Sequence, residues 1–290
     1  MVANRPGRSA PGRPPSAIDN EIEAAMNPPA LPSDAPKPSD SYVQSFARGL
    51  AVIRSFGADA PSQTLSQVAA RTGLTRAGAR RILLTLESLG YVSSEGRQFR
   101  LTARTLDLGF AYLSSLPLWN LAEPVMEGLA AEVKESCSAA VLDGSDIVYV
   151  LRIPTHRIIS LTLAIGSRLP AFCTSMGRVL LAGLPADEAR ARLLAAPRPA
   201  RTAHTVVDVD ALLAEVERVR AQGWCQVNQE LEDGLVSMAA PIIDRSGRTI
   251  AALNLSAQVL ATPPPEMLQR CLPQLRAAAE RISRTLQMKV

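Results

Sequence analysis

Four cysteines and two histidines are all this 290-residue chain offers toward thiol or imidazole chemistry. Cys137, Cys173, Cys225 and Cys271 stand far apart with no CxxC pair, and only His156 and His204 could join them. That spacing argues against a zinc site and favours free, mostly buried thiols in a reducing cytoplasm. No apolar run approaches the roughly 18 residues that a membrane span needs. The arginines near the N-terminus precede no apolar signal core. The expected protein is therefore cytoplasmic and has no membrane partner. GxSxG, GxxxxGK(S/T), HExxH and GxGxxG are all missing. Cys173 and His156 could be drawn as a thiol and its base, but nothing orients the base. We expect no catalytic residue, no metal and no cofactor.

What is present suggests two domains in a soluble chain, 47% apolar and 20% charged. The net charge is only +4, but it is unevenly spread. Residues 41–110 hold nine arginines against four acids, whereas residues 111–290 carry eighteen of each sign. The basic surplus thus falls in one segment, where it could attract phosphate. Residues 1–40 contain nine of the 22 prolines and few large apolar side chains, the composition of a disordered tail.

Residues 64–90, TLSQVAARTGLTRAGARRILLTLESLG, read as two helices joined by a tight turn. Thr64 and Gln67 form a capping box, Gly73 ends the first helix and Thr75 caps the second. Ala79, Ile82, Leu83, Leu86 and Leu89 make its apolar stripe, leaving Arg76, Arg80 and Arg81 free. A helix held by a partner helix, with arginines at its start, suits a DNA major groove. The bland alternative is an ordinary helical hairpin with a solvated basic face. An earlier helix carries Val43, Phe46, Leu50, Ile53 and Phe56 on one side. YVSSEGRQFRL, with Glu95-Gly96 at its turn, reads as a hairpin, which completes a winged helix-turn-helix. Arg97 near its tip is either a DNA contact or a solvated turn residue.

Residues 102–115 form a connecting helix too apolar to stand free, so a copy in a dimer is its expected partner. A second helix carries Leu121, Val125, Leu129 and Val133. Beyond Cys137, antiparallel strands alternate with helices, an α+β effector-sensing arrangement. They include a hairpin turning at Asp143-Gly144, IISLTL, WCQVNQE, LVSMAAPII and TIAALNLSA. Glu230, Glu232 and Asp233 are expected on an exposed loop.

The last hairpin gives the sharpest inference about a ligand. If Ser246-Gly247 is a two-residue turn, Arg245 faces Arg248 and Ser237 falls opposite Ser256, with Ala239 opposite Asn254. All then share a sheet face with Ala252 and Ile250. Polar groups on an apolar face need partners, so this face is either a pocket floor or wet. In FCTSMGRVLL, Thr174 and Ser175 begin a helix, where free amides favour an anion. Gly177 allows close backbone approach. Arg152 and His156, flanking Pro154, are candidate charge partners for a small carboxylic acid.

From about residue 42 the chain resembles the IclR family of bacterial transcriptional regulators. The resemblance is carried by SQVAARTGLTRAGARRILLTLESLGYV, LTARTLDLG, LPAFCTSMGRVLLA, QGWCQVNQELEDGLVSMAAPI and AALNLSA. It is greatest for the branch controlling protocatechuate, 4-hydroxybenzoate and β-ketoadipate catabolism. It implies a winged helix-turn-helix over 41–103, a linker helix over 104–118 and a GAF-like effector domain over 119–290. It also implies double-stranded promoter or operator DNA, a small aromatic or dicarboxylic acid, and a second copy as partners, with dimers that pair into tetramers. DNA contacts fall on Thr75, Arg76, Arg80, Arg81 and Arg97. The effector pocket falls on Ile158, Leu161, Leu169, Ser175, Met176, Val227, Asn228, Leu235, Ser237, Asn254 and Ser256. The Pro-rich extension lies outside the family core, and Gly78 sits unusually within the recognition helix. The competing reading is an enzyme acting on such acids, with the helical segment a protein-interaction module.

Overall fold

The computed structural model describes residues 41–115, 118–155 and 163–288, without the side chains of 113–115 and 118. The tail over 1–40 and the run IISLTL, except its last residue, lie outside the described residues. Two compact units divide between Leu108 and Gly109.

The first unit is built on α1 (Gln44–Arg54), α2 (Leu65–Thr72) and α3 (Arg76–Ser88). Val52, Val68, Ala69, Ala79, Leu83, Leu86 and Val92 form its core. The Thr64–Gln67 capping box is present, and Gly73 closes α2 in the left-handed region at φ 67°. Thr75 Oγ1 accepts the Gly78 amide at 3.1 Å and so starts α3. The wing is β2 (Val92–Glu95) with β3 (Gln98–Leu101), to which a two-residue strand β1 (Gln63–Thr64) adds. Glu95 still pairs with Gln98, so the turn is Gly96-Arg97 rather than Glu95-Gly96. Gly96, at φ 61°, takes its first position. β1 was not anticipated: Gln63 is buried and donates from Nε2 to the Ser55 carbonyl at 2.9 Å.

A short 3₁₀ turn (Ala103–Thr105) precedes α4 (Leu106–Ser115), which carries the chain into the second unit. There α5 (Leu118–Val133) and the C-terminal α9 (Pro264–Met288) cover one face of a six-stranded antiparallel sheet. Its strands are β4 (Ser136–Asp143), β5 (Asp146–Ile153), β6 (Arg168–Pro170), β7 (Cys225–Asn228), β8 (Leu235–Ile243) and β9 (Thr249–Gln258). They lie in the order β6-β5-β4-β9-β8-β7. The opposite face packs against α6 (Ser175–Ala182), α7 (Ala186–Leu194) and α8 (Val209–Gln222).

Alternation sorts the sheet cleanly: Val236, Met238, Leu253 and Leu255 face α5 and α9, while Ala239 and Ala252 face α6. Gly177 permits the tight seat of α6, since a Cβ there would lie 2.1 Å from the Ala171 carbonyl oxygen. Two turns differ from expectation. The β4–β5 turn is Gly144-Ser145, closed by the Asp143–Asp146 pair. The β8–β9 connection is wider than a two-residue turn: Asp244 and Arg248 are joined by a hydrogen bond from the Asp244 amide to the Arg248 carbonyl at 2.9 Å.

Candidate functional site

Helix α3 meets the first requirement of a DNA reader, free cations at its start. Arg76, Arg80 and Arg81 are all exposed, while Ala79, Leu83 and Leu86 of the same helix are buried. Arg97 stands exposed in the wing turn. Among the described residues none of these four side chains makes an ion pair or hydrogen bond, so their charge is available to phosphate or base edges. The Thr75 hydroxyl is committed to its cap. Gly78 accommodates that cap: a Cβ on it would come within 3.2 Å of Thr75 Oγ1.

In the second unit, the register between β8 and β9 sets Ser237 opposite Ser256 and Ala239 opposite Asn254. The expected pairing holds although the expected turn does not. The real connection shifts the register by one, and an unpaired Ile250 between Thr249 and Ala251 restores it. The same bulge turns Ile250 toward the α5–α9 face, so it does not share the side of Ala252.

The β4 ladder adds two hydroxyls to this face that sequence reasoning passed over. Ser136 pairs with Ser256, and Ser138 pairs with Asn254 on one side and Arg152 on the other. A second bulge, at Val150, explains how β5 contributes. Ala139 pairs with Leu151 while Ala140 pairs with Tyr149, so Val150 is skipped. Strict alternation would send Tyr149 and Arg152 to opposite faces, and the bulge brings both to the same one.

Over this face lies the first turn of α6. Ser175, Met176, Leu235, Ser237, Asn254 and Ser256 together line one cavity, with Tyr149, Arg152, Leu163, Cys173, Thr174 and Leu231. It is narrow, with a volume of about 30 Å³ open to the centre of a water molecule. Leu169, Val227 and Asn228 are not brought to it. Leu169 and Val227 are buried in the core beneath α6. Asn228 pairs with Val236 and is exposed on the other face of β7. Ile158, Leu161 and His156 lie outside the described residues.

Two polar atoms on the cavity are anomalous. Ser175 is 1% exposed and Asn254 5%, yet neither Ser175 Oγ nor Asn254 Oδ1 has a hydrogen-bond partner among the described residues. Leaving such atoms unpaired costs ~1–3 kcal/mol each. A site that a polar ligand completes accounts for that arrangement. Chemistry by Cys173 is disfavoured here, because burial pushes its thiol up to about 12, away from the reactive thiolate. Burial likewise raises the Tyr149 phenol to about 12 and keeps it a neutral donor.

Behind the cavity is a buried ion pair. Arg178 Nη2 donates to Glu230 Oε2 at 2.6 Å, and Arg178 Nε donates to the Phe172 carbonyl at 3.0 Å. Glu230 Oε2 also accepts the Val206 amide at 3.1 Å. Glu230 is therefore not on an exposed loop with its neighbours; only Asp233 of the three acids is exposed. The pair ties α6 to the segment carrying Leu231 and Leu235. Composition shows the two residues, but their pairing spans 52 positions.

Residues 110–284 match the bacterial transcriptional regulator IclR C-terminal domain, and residues 45–96 match the IclR helix-turn-helix domain. The chain belongs to the IclR family. As a member it is a DNA-binding transcriptional regulator, and the reading as an enzyme falls. Among IclR-family relatives, the Pca regulon regulatory protein of Pseudomonas putida is 44% identical, covering 96% of this chain and 95% of its own. The p-hydroxybenzoate hydroxylase transcriptional activator of Acinetobacter baylyi is 34% identical, covering 84% and 92%. A solved IclR homolog from Microbacterium hydrocarbonoxydans, complexed with 4-hydroxybenzoate, superposes with a TM-score of 0.75. It is 27% identical over 84% of this chain and 100% of that one. A transcriptional regulator from Rhodococcus sp. RHA1 is 51% identical with a TM-score of 0.77, over 84% and 98%. The α+β architecture, with a helix-turn-helix unit followed by an antiparallel sheet flanked by helices, is that of the family. No helix among the described residues is long and apolar enough to cross a membrane.

Proposed function

We propose that this regulator acts in the cytoplasm on genes of aromatic-acid catabolism and is switched by a small carboxylic acid bound in the α6 cavity. In this reading Thr75 sets the start of α3, Arg76, Arg80 and Arg81 contact the major groove, and Arg97 contacts the backbone beside it. The observation that carries the effector site is the pair of buried, unpartnered atoms on Ser175 and Asn254. Support for the acid comes from the donors around them: the amides of the α6 first turn, Arg152, and the hydroxyls of Ser237 and Ser256. Similarity to a regulator of the Pca regulon and to a homolog holding 4-hydroxybenzoate points the same way.

The working form is a homodimer that pairs into a tetramer, a surface need matched by the exposed apolar side chains of α4, Leu106, Leu108, Phe110 and Tyr112. The acid acts through its unequal affinity for two arrangements of that assembly.

The test is a titration of full-length protein against promoter DNA of such genes, with and without 4-hydroxybenzoate. Binding should weaken steeply with salt and change with the acid. Ser237→Ala with Asn254→Ala should abolish the response to the acid while leaving DNA affinity without it nearly unchanged. A full response in that variant would place the effector elsewhere.

A further inference from the structure

Resting on the reading that dimers of this chain pair into tetramers, we propose that the pairing surface is the outer side of α5 and α9. It meets the same surface of a second copy about a two-fold axis that runs along the groove between the two helices.

Both helices give one side to the sheet and leave the other bare. Val125, Met126 and Leu129 of α5 and Leu275, Ala278 and Ile282 of α9 are buried in one core. Between the helices runs a groove of about 500 Å³, whose walls include Gly128 and Glu132 on one side and Pro273, Ala277 and Arg281 on the other. Arg270 Nη1, near the start of α9, donates to the carbonyl of Val133, the last residue of α5, at 2.9 Å. The two helices therefore run antiparallel.

Gly128 is the first sign of a partner. It is exposed in the interior of α5, where glycine weakens a helix relative to alanine. A Cβ built on it would meet nothing within 4 Å, so nothing in this chain requires its absence. The close approach of another backbone would, and Ala277 across the groove is equally short.

Charge is the second sign, and it names the partner. The ionisable side chains of α5 are Glu123, Glu127 and Glu132, all exposed and none in an ion pair or hydrogen bond among the described residues. On α9, Arg276 and Arg281 are exposed and equally unpaired, although Arg270 and Arg284 of the same helix have carboxylate partners. One face thus holds an acidic strip and a basic strip side by side, which makes it complementary to itself. A two-fold axis along the groove lays α5 of each copy over α9 of the other at the same height. Counting away from the Arg270–Val133 contact, Glu127 falls level with Arg276, so each copy's Glu127 meets the other's Arg276. A two-fold axis across the groove would set acid on acid, which selects the first arrangement.

The experiment is sedimentation of full-length protein over a range of concentrations. The unmodified chain should sediment as a tetramer. Glu127→Arg and Arg276→Glu each set like charges together at both symmetric contacts. Either should raise the dissociation constant of tetramer into dimers roughly 10- to 100-fold. The chain carrying both reversals should regain the tetramer, as should an equimolar mixture of the two single variants. That recovery would also show that the variants fold. Gly128→Trp should leave dimers through bulk alone.

A tetramer indifferent to all of these variants overturns the surface and leaves the tetramer reading intact. An unmodified dimer that the single reversals turn into monomers keeps the surface and overturns the tetramer. A smaller assembly indifferent to every variant removes both. Loss in the single variants without recovery in the double one overturns the pairing of Glu127 with Arg276.

Discussion

The two units use arginine in opposite ways. In the second, nine described arginines make ion pairs, and that unit's acids and bases balance. In the first, Arg71 pairs with Asp59 and Arg100 with Glu95, while the α3 cations and Arg97 stand unpaired among the described residues. A net charge of +4 hides this division. Paired arginines cancel their own field, so only the first unit projects a potential that a polyanion can sense. Arg152, unpaired among the described residues, is an exception in the second unit, and it lines the α6 cavity.

Breaking a paired arginine where it is buried should produce the largest effect. The side chains of Arg178 and Glu230 are 3% and 9% exposed. Removing one leaves the other charged and uncompensated, at a cost of ~3–5 kcal/mol. Arg178→Ala and Glu230→Ala should each lower the chemical-denaturation midpoint by that measure, and the pair together should cost less than the sum of the two. Strict additivity in this double-mutant cycle would mean the buried contact does not couple them.

Removing an unpaired arginine should leave folding alone and weaken DNA binding. Arg80→Ala should change stability by less than ~0.5 kcal/mol. If it reads a guanine, it should lose ~1–3 kcal/mol of discrimination at that base pair. Arg97→Ala, acting at a phosphate, should weaken all sequences alike and lower the salt slope by about one. Binding curves at several salt concentrations separate the two. A sequence preference kept in Arg80→Ala removes that residue as a base reader.

How far this contrast could be read in advance depended on the range of the interaction. The Thr64 capping box and the apolar stripes are set by neighbours a few residues apart, and they were legible; the Ser237–Ser256 pairing came out as expected only because the wider turn and the Ile250 bulge offset each other. Turn positions were misplaced in one consistent way. In the first two hairpins, glycine was read as the second turn residue, yet Gly96 and Gly144 take the first, with the preceding residue still paired in its strand. Both bulges escaped notice, because an extra residue in a ladder leaves no local mark, and the one at Val150 alone decides that Arg152 shares a face with Tyr149. Ser136 and Ser138 were missed because β4 joins β9 across more than a hundred residues. Glu230 was misplaced for the same reason: its partner lies in α6.

A smaller effect on DNA binding is expected at Thr75. Its cap is exposed, and Thr75→Ala should cost ~1 kcal/mol while leaving the cations of α3 in place. DNA binding should fall only as far as the first turn frays, which hydrogen exchange at the Gly78 amide would report.

A turn at the surface of the second unit sharpens the contrast from the other side. Asp244 accepts from the Ser246 hydroxyl at 2.7 Å and from the Arg248 amide at 3.0 Å. These bonds, the Ser246 hydroxyl first, hold its carboxyl down at about 2. The folded value lies below the ordinary carboxylate value, so the β8–β9 turn gains from Asp244 above that ordinary value. The gain fades as pH falls through about 2. An NMR titration of the Asp244 carboxyl should give that midpoint, and Ser246→Ala should move it upward. A midpoint in the ordinary carboxylate range would show that the turn does not hold its acid, and that pairing in this unit is looser at its surface than at Arg178. Because the group lies at the surface, global stability should barely respond, in contrast with the buried pair, where removing one partner costs ~3–5 kcal/mol.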